Sequence, residues 1–322
     1  MSQFIDMSRI LISSHLNSSE LSKDDIRTLL IVFLCTSTFA VLSQLFILIF
    51  YLIFLNLKLP KHFPFRLIVL LAISDIAVWG QRIVTNIETL ASGYTSNDYS
   101  HELCIFEGFM DNFFILMNIL TTFAISFCLM LEVNFKINTQ SYEKYFYIFI
   151  FLYSFIFSLI PIIKNAYGVD ENIRCWITSL DKDLYRYIGF YIHLWLIFIL
   201  NCICLVIILC KLKNLGQKTL KNVKKLIGLP IIMLIFWIEP SIRLIINKDY
   251  DSYPLALLQF IIMPMQGFAN AIAYGLVNSL VKQKIVAFFK CDFKDFFLKK
   301  NEEDLHKINK NNNNFNEEIM QN

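Results

Sequence analysis

Seven apolar stretches separated by short polar segments make up most of the chain. The first, 28–57, runs for thirty positions without a charged residue. The others cover 65–90, 103–133, 145–163, 187–210, 226–246 and 252–281. Each is long enough for a helix to cross about 30 Å of hydrocarbon, and a helix satisfies its own backbone hydrogen bonds in lipid. The pattern predicts an all-α membrane protein, a seven-transmembrane helix bundle.

The segments flanking this bundle are more polar. We expect residues 1–26 to form an extracellular N-terminal tail and residues 27–281 to form the seven-helix domain. In 282–300 apolar residues recur at helical spacing among charged ones, which predicts a short amphipathic juxtamembrane eighth helix. The polar, Asn-rich residues 301–322 are predicted to form a disordered cytoplasmic tail.

The distribution of Lys and Arg predicts the orientation of the chain. With the N-terminus outside, the inner flanks of the spans hold nineteen basic residues and the outer flanks hold six. Because cytoplasmic loops carry the excess of basic residues, the N-terminus is predicted to be extracellular and the C-terminus cytoplasmic in a multi-pass plasma-membrane protein. Asn17, in the sequence Asn17-Ser18-Ser19, is a candidate N-glycosylation site on the same outer side.

Composition excludes several other classes of protein. The 322 residues are 56% hydrophobic and 17% charged, which is too apolar for a typical soluble domain. A net charge of +3 gives no reason to expect nucleic-acid binding. The sequence contains no catalytic motif and no metal-ligand spacing. We therefore expect neither an enzyme nor a bound cofactor or metal, and the lipid bilayer is the first predicted partner.

Two of the eight cysteines are placed for a disulfide bond. Cys104 begins the third span on the outer side, and Cys175 lies in the outer loop before the fifth. Both would face an oxidising compartment. We expect a Cys104–Cys175 bridge that holds the loop carrying Arg174 and Trp176 across the mouth of the bundle.

Charged residues within apolar spans are costly and usually face the interior of the bundle. Seven such residues stand in this chain: Asp75, Arg82, Glu107, Asp111, Glu132, Glu239 and Arg243. In the third span Glu107 and Asp111 share one helical stripe with Phe114, Asn118 and Thr121, which predicts an inward face. Glu132 lies on the same face at the inner end, where Lys224 or Lys225 could pair with it.

Two interpretations of the arginines remain open at this point. In one, Arg82 and Arg243 are neutralised by Glu107, Asp111 or Glu239 and hold the bundle together. In the other, the two guanidinium groups bind an anionic ligand, because they match carboxylate and phosphate groups well.

The order of several short motifs resembles the cyclic-AMP-receptor-like group of seven-transmembrane, G-protein-coupled receptors. These motifs are Tyr142-Glu143-Lys144-Tyr145, Lys164-Asn165, Cys175-Trp176-Ile177, Tyr185-Arg186, Lys225-Leu226-Ile227 and Trp237. In the seventh span, Gln266-Gly267-Phe268 is also similar to secretin- and adhesion-type receptors. The resemblance implies coupling to a heterotrimeric G protein more strongly than it implies a particular ligand.

We therefore expect a receptor for an extracellular ligand that activates a cytoplasmic G protein. The expected ligand site comprises Arg82, Glu107, Asp111, Arg174, Trp176, Glu239, Arg243 and Gln266. The expected conformational switch comprises Asp75, Glu132, Lys224 and Lys225. One alternative is a membrane transporter or channel that buries its charges along a polar path, and another is an uncoupled protein that acts as a scaffold through its tail.

Overall fold

The computed structural model describes eight parts of the chain, which form a bundle of long helices and one β-hairpin. They are residues 23–56, 63–92, 101–170, 174–178, 183–212, 231–233, 235–238 and 253–277. Among these residues, six helices are long and apolar enough to cross a membrane. This confirms an apolar α-helical membrane bundle.

The helices are labelled in chain order. The first four are α1 (Lys23–Asn56), α2 (Phe63–Ser92), α3 (His101–Phe135) and α4 (Glu143–Ile163). Helix α5 has three consecutive parts, Asp183–Arg186, a π-helical turn at Tyr187–Tyr191, and Ile192–Leu212. The helical residues 231–233 and 235–238 are called α6, and α7 is Tyr253–Val277. The predicted eighth helix at 282–300 lies outside the described residues.

Helix α3 is the central element of the bundle. It packs against α2, α4, α5 and both strands of the hairpin, whereas α1 packs between α2 and α7. Of the five residues in the predicted inward stripe of α3, four are buried and Phe114 is partly buried; the four are Glu107, Asp111, Asn118 and Thr121. Burial extends well beyond that stripe, because α3 has neighbours on nearly every side.

A short β-hairpin between α4 and α5 was not predicted from the sequence. Strand β1 (Tyr167–Asp170) pairs antiparallel with β2 (Arg174–Ile177), with Val169 opposite Cys175. The expected disulfide is present and joins Cys104 at the start of α3 to Cys175 in β2. The end of the bundle that carries this hairpin is called the hairpin end below.

Three contacts hold the hairpin against the helices in addition to the disulfide. The Tyr167 hydroxyl donates to the backbone oxygen of Ser158 on α4 at 3.0 Å, and burial raises the pKa of this phenol so that it remains a donor. Arg186 on α5 donates from Nη2 to the backbone oxygen of Ile177 at 2.8 Å. A Cβ at Gly108 would stand 2.5 Å from the Tyr167 ring, so only glycine allows β1 this close to α3.

Candidate functional site

Polar side chains join four helices near the middle of the bundle, with Asp75 on α2 at their centre. One carboxylate oxygen accepts from Gln44 Nε2 on α1 at 2.9 Å, and the other accepts from Asn118 Nδ2 on α3 at 2.6 Å. Gln266 on α7 donates to Asn118 Oδ1 at 3.3 Å. Gln44 also donates to the backbone oxygen of Gly267 on α7 at 2.6 Å. These bonds satisfy a buried carboxyl and connect α1, α2, α3 and α7, and this set of side chains is called the Asp75 network.

A buried ion pair lies closer to the hairpin end. Arg82 on α2 binds Asp111 on α3 through two hydrogen bonds, Nε to Oδ1 at 3.1 Å and Nη2 to Oδ2. Both residues are about 95% buried or more. The guanidinium also lies over the rings of Phe33 and Trp79, 5.6 and 5.5 Å from their centroids, a cation–π geometry. The arrangement therefore matches the interpretation in which Arg82 is neutralised within the bundle.

Glu107 differs from both of these sites. It lies one helical turn from Asp111 towards the hairpin end and is only 7% exposed. Among the described residues, its Oε1 atom has no hydrogen-bond partner. Arg82 interacts with it electrostatically without forming an ion pair within 4 Å. The side chain thus brings an unsatisfied buried carboxylate oxygen to the hairpin end.

A small cavity opens beside the Arg82–Asp111 pair, between the hairpin and the helices. Its lining residues are Arg82, Ile115, Trp176, Phe190, Tyr191, Trp237, Gln259 and Met263. The volume open to a water-sized sphere is about 10 Å³, roughly the room that one water molecule needs. Four aromatic side chains therefore surround a guanidinium in a space too small for an organic ligand, and binding one would require the helices to separate.

The structure brings together some of the predicted ligand residues and separates others. Arg82 and Trp176 line the cavity, Asp111 is paired with Arg82 beside it, and Glu107 lies one turn from Asp111. Gln266 belongs instead to the Asp75 network, further from the hairpin. Arg174 lies in β2 opposite Asp170, but its side chain is outside the description. The remaining predicted residues lie outside the described residues: Glu239, Arg243, Lys224, Lys225 and Asn17.

Glu132, the predicted switch residue on α3, has a partner other than the predicted lysines. Its Oε1 accepts a hydrogen bond from the hydroxyl of Thr139, in the 3₁₀ turn Thr139–Tyr142 that precedes α4. Thr139 is fully buried. The carboxylate therefore connects the end of α3 to the start of the next helix.

Four buried polar residues were not among the site residues predicted from the sequence. Gln44 and Asn86 lie within the predicted first and second spans, and Gln259 and Asn270 lie among the apolar residues of α7. All four are buried. The sequence could have indicated them, because an uncharged polar side chain inside a membrane span usually forms a hydrogen bond with a neighbouring helix. The aromatic cavity wall had no such signal, since Phe190 and Tyr191 resemble many other aromatic residues in this chain.

Comparison with known proteins gives a consistent set of similarities. A family model described as slime mold cyclic AMP receptor matches residues 20–322. Cyclic AMP receptor-like protein A of Dictyostelium discoideum is 24% identical over 290 residues, covering 86% of this chain and 72% of that protein. Frizzled/smoothened-like sans CRD protein G of the same organism is 27% identical over 160 residues, covering 47% of this chain and 34% of that protein.

A solved structure shows the same fold. Squid rhodopsin superposes with a TM-score of 0.60 and 13% sequence identity, covering 83% of this chain and 80% of rhodopsin. At this identity the similarity concerns the arrangement of helices only.

Proposed function

The chain belongs to the slime mold cyclic AMP receptor family, and we propose that it is a G-protein-coupled receptor activated by an extracellular ligand at the hairpin end. The family is one of receptors with a rhodopsin-like fold, not of enzymes. The match over residues 20–322 is the observation that carries the proposal. We further propose that α6 completes a seven-helix bundle in the plasma membrane, with an extracellular N-terminus and a cytoplasmic C-terminus.

The ligand site that we propose is the cavity beneath the hairpin. Disulfides persist in oxidising compartments, so the Cys104–Cys175 bond supports an extracellular hairpin end. The cavity holds about one water molecule, and we infer that it belongs to a resting state. A ligand that binds only after Trp176, Phe190 and Trp237 move apart favours the open state, because it interacts differently with the two conformations.

The contacts of Arg82 bear on the anionic ligand considered above. Two of its donors already bind Asp111, and an anion would have to displace this carboxylate from a buried site. The geometry supports a receptor cavity better than it supports an anion at Arg82.

The experiment is a ligand screen with a G-protein readout. The full chain is expressed with a heterotrimeric G protein, and agonist-stimulated guanine-nucleotide exchange is measured, with cyclic AMP included because of the relatives' names. A dose-dependent increase that is lost in Trp176→Ala supports the proposal. Exposed Leu184, at the start of α5, offers the matched control Leu184→Ala.

Two other results would contradict the receptor function. Ligand-independent conductance or uptake in proteoliposomes, with no exchange activity, would favour a transporter or channel. Binding without any nucleotide exchange, together with capture of partners through the tail, would favour the scaffold.

A further inference from the structure

The facing sides of α2 and α3 carry polar pairs in a constant antiparallel register. Asp75 faces Asn118, and seven residues further along each helix Arg82 faces Asp111. Hydrogen bonds join the two side chains in each of these pairs. Four residues further in the same direction, one helical turn, the same register places Asn86 on α2 opposite Glu107 on α3.

The pair formed by Asn86 and Glu107, called the open pair below, has unsatisfied polar atoms among the described residues. Both residues are more than nine-tenths buried, at 6% and 7% exposure. Asn86 Nδ2 and Glu107 Oε1 have no hydrogen-bond partner within the described part of the chain. Buried polar groups are nearly always satisfied, and a buried carboxylate without a partner is especially unfavourable. Two such groups at facing positions indicate a binding partner beyond the residues that the structure describes.

The charges around this open pair favour a cation over a neutral group or an anion. Arg82 is already paired with Asp111, so Glu107 has no ion-pair partner within 4 Å among the described residues, and Arg82 attracts it only at longer range. Glu88, also on α2, is a second acidic residue within electrostatic range of Glu107. In the present rotamer Asn86 turns its unpaired NH₂ group inward, and a 180° rotation of this amide would place its oxygen there as a second acceptor for a cationic donor.

The open pair is adjacent to the proposed ligand cavity. Arg82 lines that cavity and lies one turn from Asn86 on α2. The aromatic rings of Trp176, Phe190, Tyr191 and Trp237 form the cavity wall. Such rings accommodate an apolar body and also attract a cation. A molecule with a cationic head and an aromatic body would span both parts of the site.

We propose that the Asn86–Glu107 pair is a subsite that binds the ammonium group of a small ligand whose apolar body occupies the aromatic cavity. This proposal rests on the proposed receptor function and specifies the class of its ligand. Glu107 supplies the charge and a hydrogen-bond acceptor, and Asn86 supplies the second acceptor.

The test uses three probes that share one aromatic body and differ in the head group: 2-phenylethylamine, 2-phenylethanol and 3-phenylpropanoate. Thermal unfolding of the full chain in lipid nanodiscs is measured as each probe is titrated. We expect the amine to raise Tm in a saturable way and the alcohol and carboxylate to raise it less. In Glu107→Gln the apparent Kd for the amine should rise at least about tenfold.

Two variants accompany this measurement. Glu102→Gln removes the same charge from an exposed position at the start of α3 and should leave amine binding unchanged. Asn86→Ala retains Glu107 and should weaken amine binding by a smaller factor, so the test does not depend on the folding of Glu107→Gln.

Several outcomes would overturn the subsite. They are equal stabilisation by all three probes, stabilisation by the carboxylate that survives Glu107→Gln, and no saturable effect of the amine. Nucleotide exchange is measured in parallel as a separate readout. If the amine binds through Glu107 but no ligand stimulates exchange, the subsite stands and the G-protein-coupled function fails.

Discussion

Helices α3 and α4 are similarly apolar, yet α3 is largely buried within the bundle and α4 is largely exposed on its surface. In α3, 78% of the apolar stretch is buried, whereas in α4 only 22% is buried, although α4 is slightly the more apolar of the two. Bulky residues such as Phe149, Phe151 and Ile156 on α4 are about half exposed. The lipid-facing helix is thus as hydrophobic as the central one.

The two helices differ in the polar side chains that they carry. Helix α3 presents Glu107, Asp111 and Asn118 to its neighbours, whereas the buried polar residues of α4 are the small hydroxyl residues Ser154 and Ser158. Lipid tails are as apolar as leucine, so burial of apolar surface does not distinguish a neighbouring helix from lipid. Hydrogen bonds and close packing do distinguish them. Loss of a polar contact on α3 should therefore cost far more than a change on the exposed face of α4.

The largest effect is expected from breaking the buried ion pair on α3. Asp111→Leu leaves the Arg82 guanidinium buried without its partner. Removing one member of a buried pair typically costs about 3–5 kcal/mol. We expect a loss of this size in the free energy of unfolding, measured by thermal and denaturant unfolding in nanodiscs.

The double substitution Arg82→Leu with Asp111→Leu gives the control for this prediction. It removes both charges, so it should be less destabilising than Asp111→Leu alone. A double variant that is less stable than either single variant would show that the pair contributes through packing with Phe33 and Trp79 rather than through charge.

Much of the fold could be predicted because membrane helices are long and apolar. The predicted span 103–133 corresponds to the observed helix His101–Phe135, and the predicted span 145–163 corresponds to Glu143–Ile163. The hairpin and the π-helical turn at Tyr187–Tyr191 could not be predicted in this way. Their strands and turn span only four or five residues each, and their conformation depends on contacts with α3, α4 and α5.

The charged residues of the candidate site could be predicted from the sequence, but the residues that pair with them were harder to predict. A charge within an apolar span is conspicuous, which is why Arg82, Asp111 and Asp75 were identified. Several partners were compatible with each charge, and only the register between α2 and α3 selects Asp111 for Arg82. Glu132 illustrates the same limit, because its Thr139 partner is a neutral residue in a short turn.

The next largest effect is expected from the disulfide, which ties the hairpin to α3 and not to α4. Reduction, or Cys175→Ser, should lower the free energy of unfolding by about 2–4 kcal/mol. Non-reduced peptide mapping should link the Cys104 and Cys175 peptides. Alkylation of both thiols without a reductant would contradict the bond, and Cys35→Ser, an exposed free thiol, is the matched control.

A smaller effect is expected when one uncharged polar contact is removed from α3. Asn118→Leu deprives Asp75 of the hydrogen bond at 2.6 Å and should cost about 1–3 kcal/mol, because a buried acceptor is left unsatisfied. On α4, Ile156→Val alters a side chain that is 54% exposed and should change stability by less than about 0.5 kcal/mol. Equal losses in the two variants, measured by unfolding in the same nanodiscs, would remove the distinction between the helices.

The smallest effect concerns the contact between the end of α3 and the turn before α4. Thr139→Val removes the hydrogen bond to Glu132, whereas Glu132→Gln retains an acceptor oxygen and removes only the charge. If this contact holds the resting state, Thr139→Val should raise basal guanine-nucleotide exchange about twofold, because one hydrogen bond contributes roughly 0.5 kcal/mol or more. An increase in Glu132→Gln instead, with Thr139→Val unchanged, would favour the predicted pairing with Lys224 or Lys225. Thr38→Val, which alters an exposed hydroxyl bonded only within its own helix, should leave basal exchange unchanged.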